Sequence, residues 1–234
     1  MRLLIIDNFD SFTYNLVQLF AALDVEVIVR RNTEDIGTLR PLQPDALCIS
    51  PGPGTPRDAG VSAAALAHWQ DTIPVLGVCL GMQVMNEFFG GRTVHAPAPV
   101  HGKAHAIRHD GEGLFADVPS PFTAARYHSL AVQPAPAPLL ACAYSTDGAI
   151  MALRHATLPL HGVQFHPESF LTGYGERMAG NFLALVPGPP ATSATGAAQP
   201  HRSDFPASDD REDETGDTGR TTKQQTPGLN GAEA

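Results

Sequence analysis

The sequence is short of charge. Asp, Glu, Lys and Arg make up 17% of its 234 residues, and the bases are the scarcer sign, 15 against 24 acids, for a formal net charge of −9. Nucleic-acid binding through a basic face needs clustered Lys and Arg, and this composition argues against it. Long apolar runs are missing too: no stretch approaches the ~20 uncharged apolar residues of a bilayer span, so no membrane partner is expected. The first apolar run, Leu3-Leu4-Ile5-Ile6, stops at Asp7 with no small-residue cleavage site after it, which argues against a signal peptide. Cysteine is rare and odd in number. Cys48, Cys79 and Cys142 at irregular spacing argue against a disulfide framework or a zinc site and fit a reducing, cytoplasmic location. Two nucleotide signatures are absent as well: no Gly-Lys-Ser/Thr follows the glycine-proline loop, and no G-x-G-x-x-G opens the first helix.

What is present is a core. Apolar residues make up 43% of the chain, enough for one sizeable globular domain. The composition breaks at Pro187. Beyond it the chain is Pro, Gly, Ala, Ser, Thr and charge, with eight acids, four bases and only Phe205 and Leu229 as large apolar residues. Such a segment cannot offset the entropy of ordering itself, so the expectation is a domain over 1–186 and a disordered acidic tail over 187–234, in preference to an arm that folds on a partner.

Within 1–186 the first half alternates buried-strand and helix patterns. Strands are expected at Leu3-Leu4-Ile5-Ile6, from Val25 to Val29, from Ala46 to Ile49 and from Pro74 to Val78. Between them lie a helix bearing Leu16, Leu19, Phe20 and Leu23, capped by Asp10 or Ser11, and another from about Val61 to Trp69. After Gly90-Gly91 short β-rich runs follow: Ala104 to Arg108, Phe122 to Tyr127, Leu139 to Tyr144, Ile150 to Arg154 and His161 to Phe165, then a last helix near Gly175 to Val186. The fold class is therefore α/β: a mostly parallel open sheet flanked by helices, with added mixed or antiparallel strands.

The sharpest chemical feature is Gly77-Val78-Cys79-Leu80-Gly81, where a buried strand runs into a helical pattern through a nucleophile flanked by glycines. This is the cysteine form of the G-x-S-x-G elbow. The turn lifts one side chain above the sheet end, the crowding demands glycine, and the helix N-terminus favours the thiolate. The Leu80 N–H would face an oxyanion. A buried cysteine between packing glycines would give the same pentapeptide, and the pentapeptide alone leaves both open. His166-Pro167-Glu168 follows the apolar run that ends at Phe165. Pro167 biases His166 to extended geometry, and residues two apart then share a side, so Glu168 could orient the imidazole; a strand-end turn with a solvated Glu is the plainer alternative. His101, His105 and His109, spaced by four, have no nearby Cys or paired carboxylate, so no metal site is expected. The loop Pro51-Gly52-Pro53-Gly54-Thr55-Pro56 follows a buried strand, at the sheet edge where α/β folds bind ligands; as a rigid turn it would look the same.

Taken together, Asp7-Asn8-Phe9-Asp10-Ser11-Phe12-Thr13-Tyr14-Asn15, Ser50-Pro51-Gly52-Pro53-Gly54, Gly77 to Gln83, His101-Gly102-Lys103, Arg126-Tyr127-His128-Ser129-Leu130 and Gly162 to Glu168 resemble the class I (triad) glutamine amidotransferases. Within that family the chain is similar to the small subunits of anthranilate synthase and of aminodeoxychorismate synthase, from Met1 to about Val186. The resemblance implies a glutaminase in which Cys79 attacks the L-glutamine side chain, His166 moves the proton and Glu168 orients His166. It further implies that Leu80 and the loop of Gly52, Pro53 and Gly54 stabilise the oxyanion, that Gln83 lies beside the substrate, and that Ser129 and Leu130 hold the glutamine. Ammonia would pass to a chorismate-using synthase large subunit. No cofactor is implied in this chain, Mg2+ being expected only in the synthase partner. Anthranilate synthase, and so tryptophan synthesis, is the first reading. The aminodeoxychorismate (folate) counterpart, or one chain serving both, is the alternative, and a stand-alone γ-glutamyl hydrolase or cysteine peptidase is a distant one. An idle regulatory module fits poorly with an intact Cys79, His166 and Glu168. Met82 departs from the pattern, standing where this branch usually has His.

Overall fold

The computed structural model describes residues 1–96 and 99–188; the tail expected over 187–234 lies, past Gly188, outside the described residues. The chain runs β1 (Arg2–Asp7), α1 (Thr13–Ala21), β2 (Glu26–Arg31), α2 (Ile36–Leu39), β3 (Ala46–Ile49), α3 (Ser62–Trp69), β4 (Val75–Val78) and α4 (Leu80–Phe88). It continues through β5 (Arg92–His95), β6 (Lys103–His109), β7 (Phe122–Arg126), β8 (Leu130–Gln133), β9 (Leu139–Ser145), β10 (Ile150–His155), β11 (Leu160–Val163) and α5 (Gly175–Leu183).

A strand covered on both faces can be apolar at every position, and β1 is so from Leu3 to Ile6. Leu3 and Ile5 pack with Leu16 and Phe20 of α1 and Met178 and Phe182 of α5. Leu4 and Ile6 point the other way, to Ala65, Leu66 and Trp69 of α3 and Met82 and Met85 of α4. Each of these strand side chains is fully buried, worth about 1.5–3 kcal/mol of transfer free energy apiece. The result is a nine-stranded sheet in the order β2-β1-β3-β4-β11-β10-β9-β6-β7. From β2 to β11 neighbours are parallel; from β11 onward they are antiparallel. The expected α/β sheet with added antiparallel strands is the observed fold. Its seam is β11, which pairs parallel to β4 on one side and antiparallel to β10 on the other.

Three local expectations are corrected. β5 and β8, which the sequence reading does not mark as strands, form a separate antiparallel pair; β5 is half-exposed and mixed in polarity, β8 is four residues long with Ala131 and Val132 buried, and they pair only with each other. Neither Asp10 nor Ser11 caps α1, whose N-cap is Phe12. Asp10 instead accepts from Phe12 N at 2.8 Å, and Asp7, buried at the end of β1, gathers the turn by accepting from Phe9 N at 2.9 Å and Thr13 Oγ1 at 2.8 Å. The strand expected to reach Phe165 is regular only to Val163; Gln164 N still donates in register to Met151 O of β10 at 2.8 Å, and the chain leaves that ladder after it, His166 N donating to Ala125 O of β7 at 3.1 Å.

The turn between β4 and α4 is tightly packed. A Cβ on Gly77 would lie 2.5 Å from the Gly81 carbonyl, and one on Gly81 would lie 2.2 Å from Ile49 O in β3. Gly180 in α5 is the contrast, with open space where its Cβ would be. Gly81→Ala is expected to lower stability by about 1–3 kcal/mol through overpacking, while Gly180→Ala raises it by about 0.5–1 kcal/mol through helix propensity. Denaturant midpoints of the two variants check this; equal behaviour would contradict the packing described.

Candidate active site

Cys79 follows the last residue of β4 and is the N-cap of α4, with φ 52° and ψ −102°. A non-glycine residue in that region is strained by ~1–3 kcal/mol, and the surroundings must over-determine it. They do: Cys79 N donates to Val163 O of the adjacent β11 at 2.7 Å, and Cys79 O accepts from Gln83 N at 3.1 Å as the first bond of α4. Leu80 is the first helical residue, so its N–H belongs to the turn that has no intrahelical acceptor. The Cys79 side chain is buried to 8% exposure.

β4 and β11 run side by side with Val78 opposite Val163, so Cys79 and the segment after Val163 leave the same edge of the sheet. His166 lies three residues past β11 and is 2% exposed. Its Nδ1 sits 2.6 Å from Glu168 Oε1, and the Glu168 side chain has no exposed surface. The pair does not meet along an extended strand, as the sequence pattern suggests. It meets across a turn, in which Ser169 N donates to His166 O at 3.2 Å and Thr172 Oγ1 donates to the same oxygen at 2.6 Å. Thr172 Oγ1 in turn accepts from Ala125 N of β7 at 3.0 Å. Gly175, at the start of α5, lets Pro167 O approach to 1.9 Å of where a Cβ would be. The rings of Phe12 and Tyr127 pack on the imidazole with centroids 5.5 and 5.1 Å away.

Burial alone would lower the basicity of His166, but hydrogen bonding and charge from Cys79 and Glu168 outweigh it and push the imidazole up to about 10. Its Nε2 is buried and closes no hydrogen bond, and the Cys79 sulfur is among the groups that raise the imidazole. The arrangement therefore favours an imidazolium beside sulfur at neutral pH. A charged His166 can hand a proton to a leaving group, and once deprotonated it can take one from water.

The other expected residues divide. Gly52 is brought to the elbow: a Cβ there would lie 2.5 Å from Asn8 Cβ and 2.8 Å from Leu80 Cδ2. Its loop is tied to the end of β1, since Asn8 N donates to Ser50 Oγ and Asn8 Nδ2 to Ser50 O, both at 2.9 Å. Pro53 and Gly54 are exposed beyond it, Gly54 at φ 80°. Gln83 is 3% exposed and its Nε2 donates to Gln164 Oε1 at 3.2 Å. Ser129 and Leu130 follow Tyr127, whose ring packs on His166, but among the described residues neither is hydrogen-bonded to Cys79, His166 or Glu168. Leu130 O accepts from His128 Nδ1 at 2.8 Å, and Ser129 O accepts from Ala96 N at 2.8 Å.

Behind this segment Arg126 is wholly buried, with Nη1 3.1 Å from Asp147 and Nε donating to His128 Nε2 at 3.1 Å. Burial, with Arg126 adding to it, pushes His128 down to about 4, so it stays neutral and can accept that bond. The histidines spaced by four do not converge. A strand rises about 3.3 Å per residue, which separates residues four apart by roughly 13 Å. His105 is spent on Arg126 at 3.2 Å, and His109 stacks on Phe115 at 4.5 Å. Among the described residues no group of three or more His, Cys, Asp or Glu is placed to hold a metal. No helix among them is long and apolar enough to cross a membrane. Phe12 and Gln164 lie in the stretches that carry the family resemblance, Gln164 two residues before His166, but the sequence assigns neither a role; Thr172 and Asp147 carry no sequence signal.

Comparison with known proteins bears on residues 4–186, which match the model of the family described as glutamine amidotransferase class-I. The chain is 47% identical over 184 residues to a Bacillus subtilis protein named aminodeoxychorismate/anthranilate synthase component 2, covering 77% of this chain and 95% of that one. It is 45% identical over 213 residues to a Streptomyces pristinaespiralis aminodeoxychorismate synthase, covering 88% of this chain but only 29% of that protein's length. The fold is similar to a crystal structure from Thermoplasma acidophilum assigned to GMP synthase, with a TM-score of 0.73 and 25% identity over 80% of this chain and 94% of that one.

The raised His166 fixes the direction of a pH effect. Its folded value exceeds the ordinary ~6.5, so the stability it contributes is complete below about pH 6.5 and is lost as pH rises through about 10. In an NMR titration the imidazole should remain protonated at about pH 8, and Glu168→Gln should move its midpoint down by removing a negative charge. A wild-type midpoint near 6.5 would contradict the pairing.

Proposed function

The chain belongs to the class-I glutamine amidotransferase family, and from that premise we propose that it is the glutaminase subunit of a chorismate-aminating synthase. The observation that carries the reading is Cys79 held at positive φ on the N-terminus of α4, beside an imidazole that Glu168 approaches to 2.6 Å. In this reading the Cys79 thiolate adds to the side-chain carboxamide carbon of L-glutamine. The oxyanion that forms is met by the Leu80 N–H and by the loop of Gly52, Pro53 and Gly54, with one such donor worth ~10²–10³ in rate. His166 gives its proton to the nitrogen, ammonia departs, and a glutamyl thioester remains. His166, now neutral, takes a proton from water, which attacks the thioester and releases glutamate and the thiolate. Glu168 holds the ring and stabilises its charged form throughout. Gln83, Ser129 and Leu130 flank the bound glutamine.

Ammonia released into neutral water becomes ammonium, which is no nucleophile. At low concentration the product is therefore used efficiently only if it passes directly to a partner, while a high concentration of ammonium salt supplies enough free ammonia from outside, and the proposed partner is the chorismate-using large subunit. Anthranilate is the proposed product. The Bacillus relative carries both synthase names in one chain, which favours as second reading a subunit shared by both synthases.

Reconstitution with each large subunit tests this. Cys79→Ser should abolish glutamine-dependent synthesis while synthesis from ammonium salts survives; loss of both in an assembled complex would count against the division of labour. His166→Ala should cost ~10²–10⁴-fold in glutamine-dependent rate, and Glu168→Gln, which keeps a hydrogen bond, should cost less. Full glutamine turnover by the lone chain, unchanged by either partner, would promote the stand-alone hydrolase.

A further inference from the structure

Gln164 has no part in the mechanism above, yet it touches the nucleophile. It is fully buried, one residue past β11 and two before His166. Its Nε2 donates to Cys79 Sγ at 3.4 Å, and its Oε1 accepts from Gln83 Nε2 at 3.2 Å. Its backbone is pinned as well, N to Met151 O at 2.8 Å, while Cys79 N is held by the neighbouring Val163 O at 2.7 Å. The two residues are thus fixed to one another through both main chain and side chain.

A carboxamide has one donor end and one acceptor end. Gln83, itself buried on α4 one turn past Cys79, occupies the acceptor end, and this leaves the donor end for sulfur. A sulfur anion at 8% exposure has little water to solvate it, so a fixed N–H is the group it lacks. The reverse arrangement, both carboxamides turned over, would set a carbonyl oxygen against sulfur and favour the neutral thiol instead.

Resting on the reading of Cys79 as nucleophile, we propose that Gln164 is a catalytic residue whose amide N–H stabilises the Cys79 thiolate, with Gln83 as the positioning residue that fixes its orientation. His166 charges the sulfur's surroundings from one side and Gln164 solvates it from another. The same donor would receive the sulfur again when the thioester is hydrolysed. With Gln83 Nε2 turned to Gln164 Oε1 the sulfur meets the donor end, which gives Gln83 work beyond flanking the substrate.

The test is the pH dependence of Cys79 alkylation by iodoacetamide in the full chain, read by mass spectrometry of the Cys79 peptide. Cys48 and Cys142 serve as internal controls: burial pushes both thiols up, Cys142 to about 12. Gln164→Met should move the acid limb up by about one pH unit, the scale of one hydrogen bond to a charged group, so that labelling on the acid side slows ~10-fold while the alkaline plateau holds. Gln164→Glu should move it further in the same direction, and Gln83→Met less far. A merely structural role would loosen the site and expose Cys48 and Cys142 without moving the limb. An unmoved or lowered limb in Gln164→Met overturns the proposal. Should that variant not fold, an unmoved limb in Gln83→Met overturns it equally. Wild-type Cys79 labelling no faster than Cys48 and Cys142 would remove the nucleophile reading, and this proposal with it; normal wild-type labelling with an unmoved limb removes only the role of Gln164.

Discussion

The turn from β4 to α4 has no room for a side chain at Gly77 or Gly81, and the rest of the site depends on that crowding. Because the helix begins directly on the strand end, the one residue between them is forced to φ 52°. That conformation lifts the Cys79 sulfur off the sheet, points its carbonyl into the helix and leaves the first helical N–H groups beside it. Strain of this kind survives only where packing leaves no alternative, and here the packing is backbone against backbone: α4 on the carbonyl of Ile49, and Cys79 N on Val163 O.

Sheet order does the assembling. The carboxyl ends of β1, β3, β4 and β11 are consecutive along the sheet, and each carries one part of the site. β1 carries Asn8, which braces the glycine-proline loop after β3. β4 carries Cys79, and β11 carries Gln164 and His166. Neighbouring parallel strands in register bring these parts to one edge of the sheet, although they lie as much as 158 positions apart in sequence, from Asn8 to His166. The antiparallel half contributes the support: Ala125 of β7 anchors Thr172, which anchors the His166 turn.

Two buried histidines show how environment sets their charge. His128 and His166 are both nearly inaccessible. His128 meets a guanidinium and a carbonyl and is pushed down to about 4; His166 meets a carboxylate and a sulfur and is pushed up to about 10. Desolvation opposes the charged form in each, and the partners decide which way it falls. A neutral His128 can accept from Arg126 and hold the segment that carries Tyr127 against the His166 ring, so the uncharged histidine positions the charged one.

Much of this was legible in the sequence because the signals are local. Continuous apolar runs mark strands buried on both faces, and glycines two residues either side of Cys79 mark a turn too tight for side chains. The His-Pro-Glu order places a carboxylate within reach of the imidazole whether the backbone extends or turns. Pairing and direction were another matter. Nothing local says that β11 inserts beside β4, and it is that adjacency which brings His166 to Cys79. The cap of α1, the short strands β5 and β8, and the buried Arg126 with its partners also came only from tertiary structure. The strands are four residues each, too short for a period to show, and a polar side chain declares its role through the partner it finds. Gln164 shows both sides: its spacing from His166 is written in the chain, but that its amide donates to sulfur follows from Gln83, 81 positions away, claiming the other end.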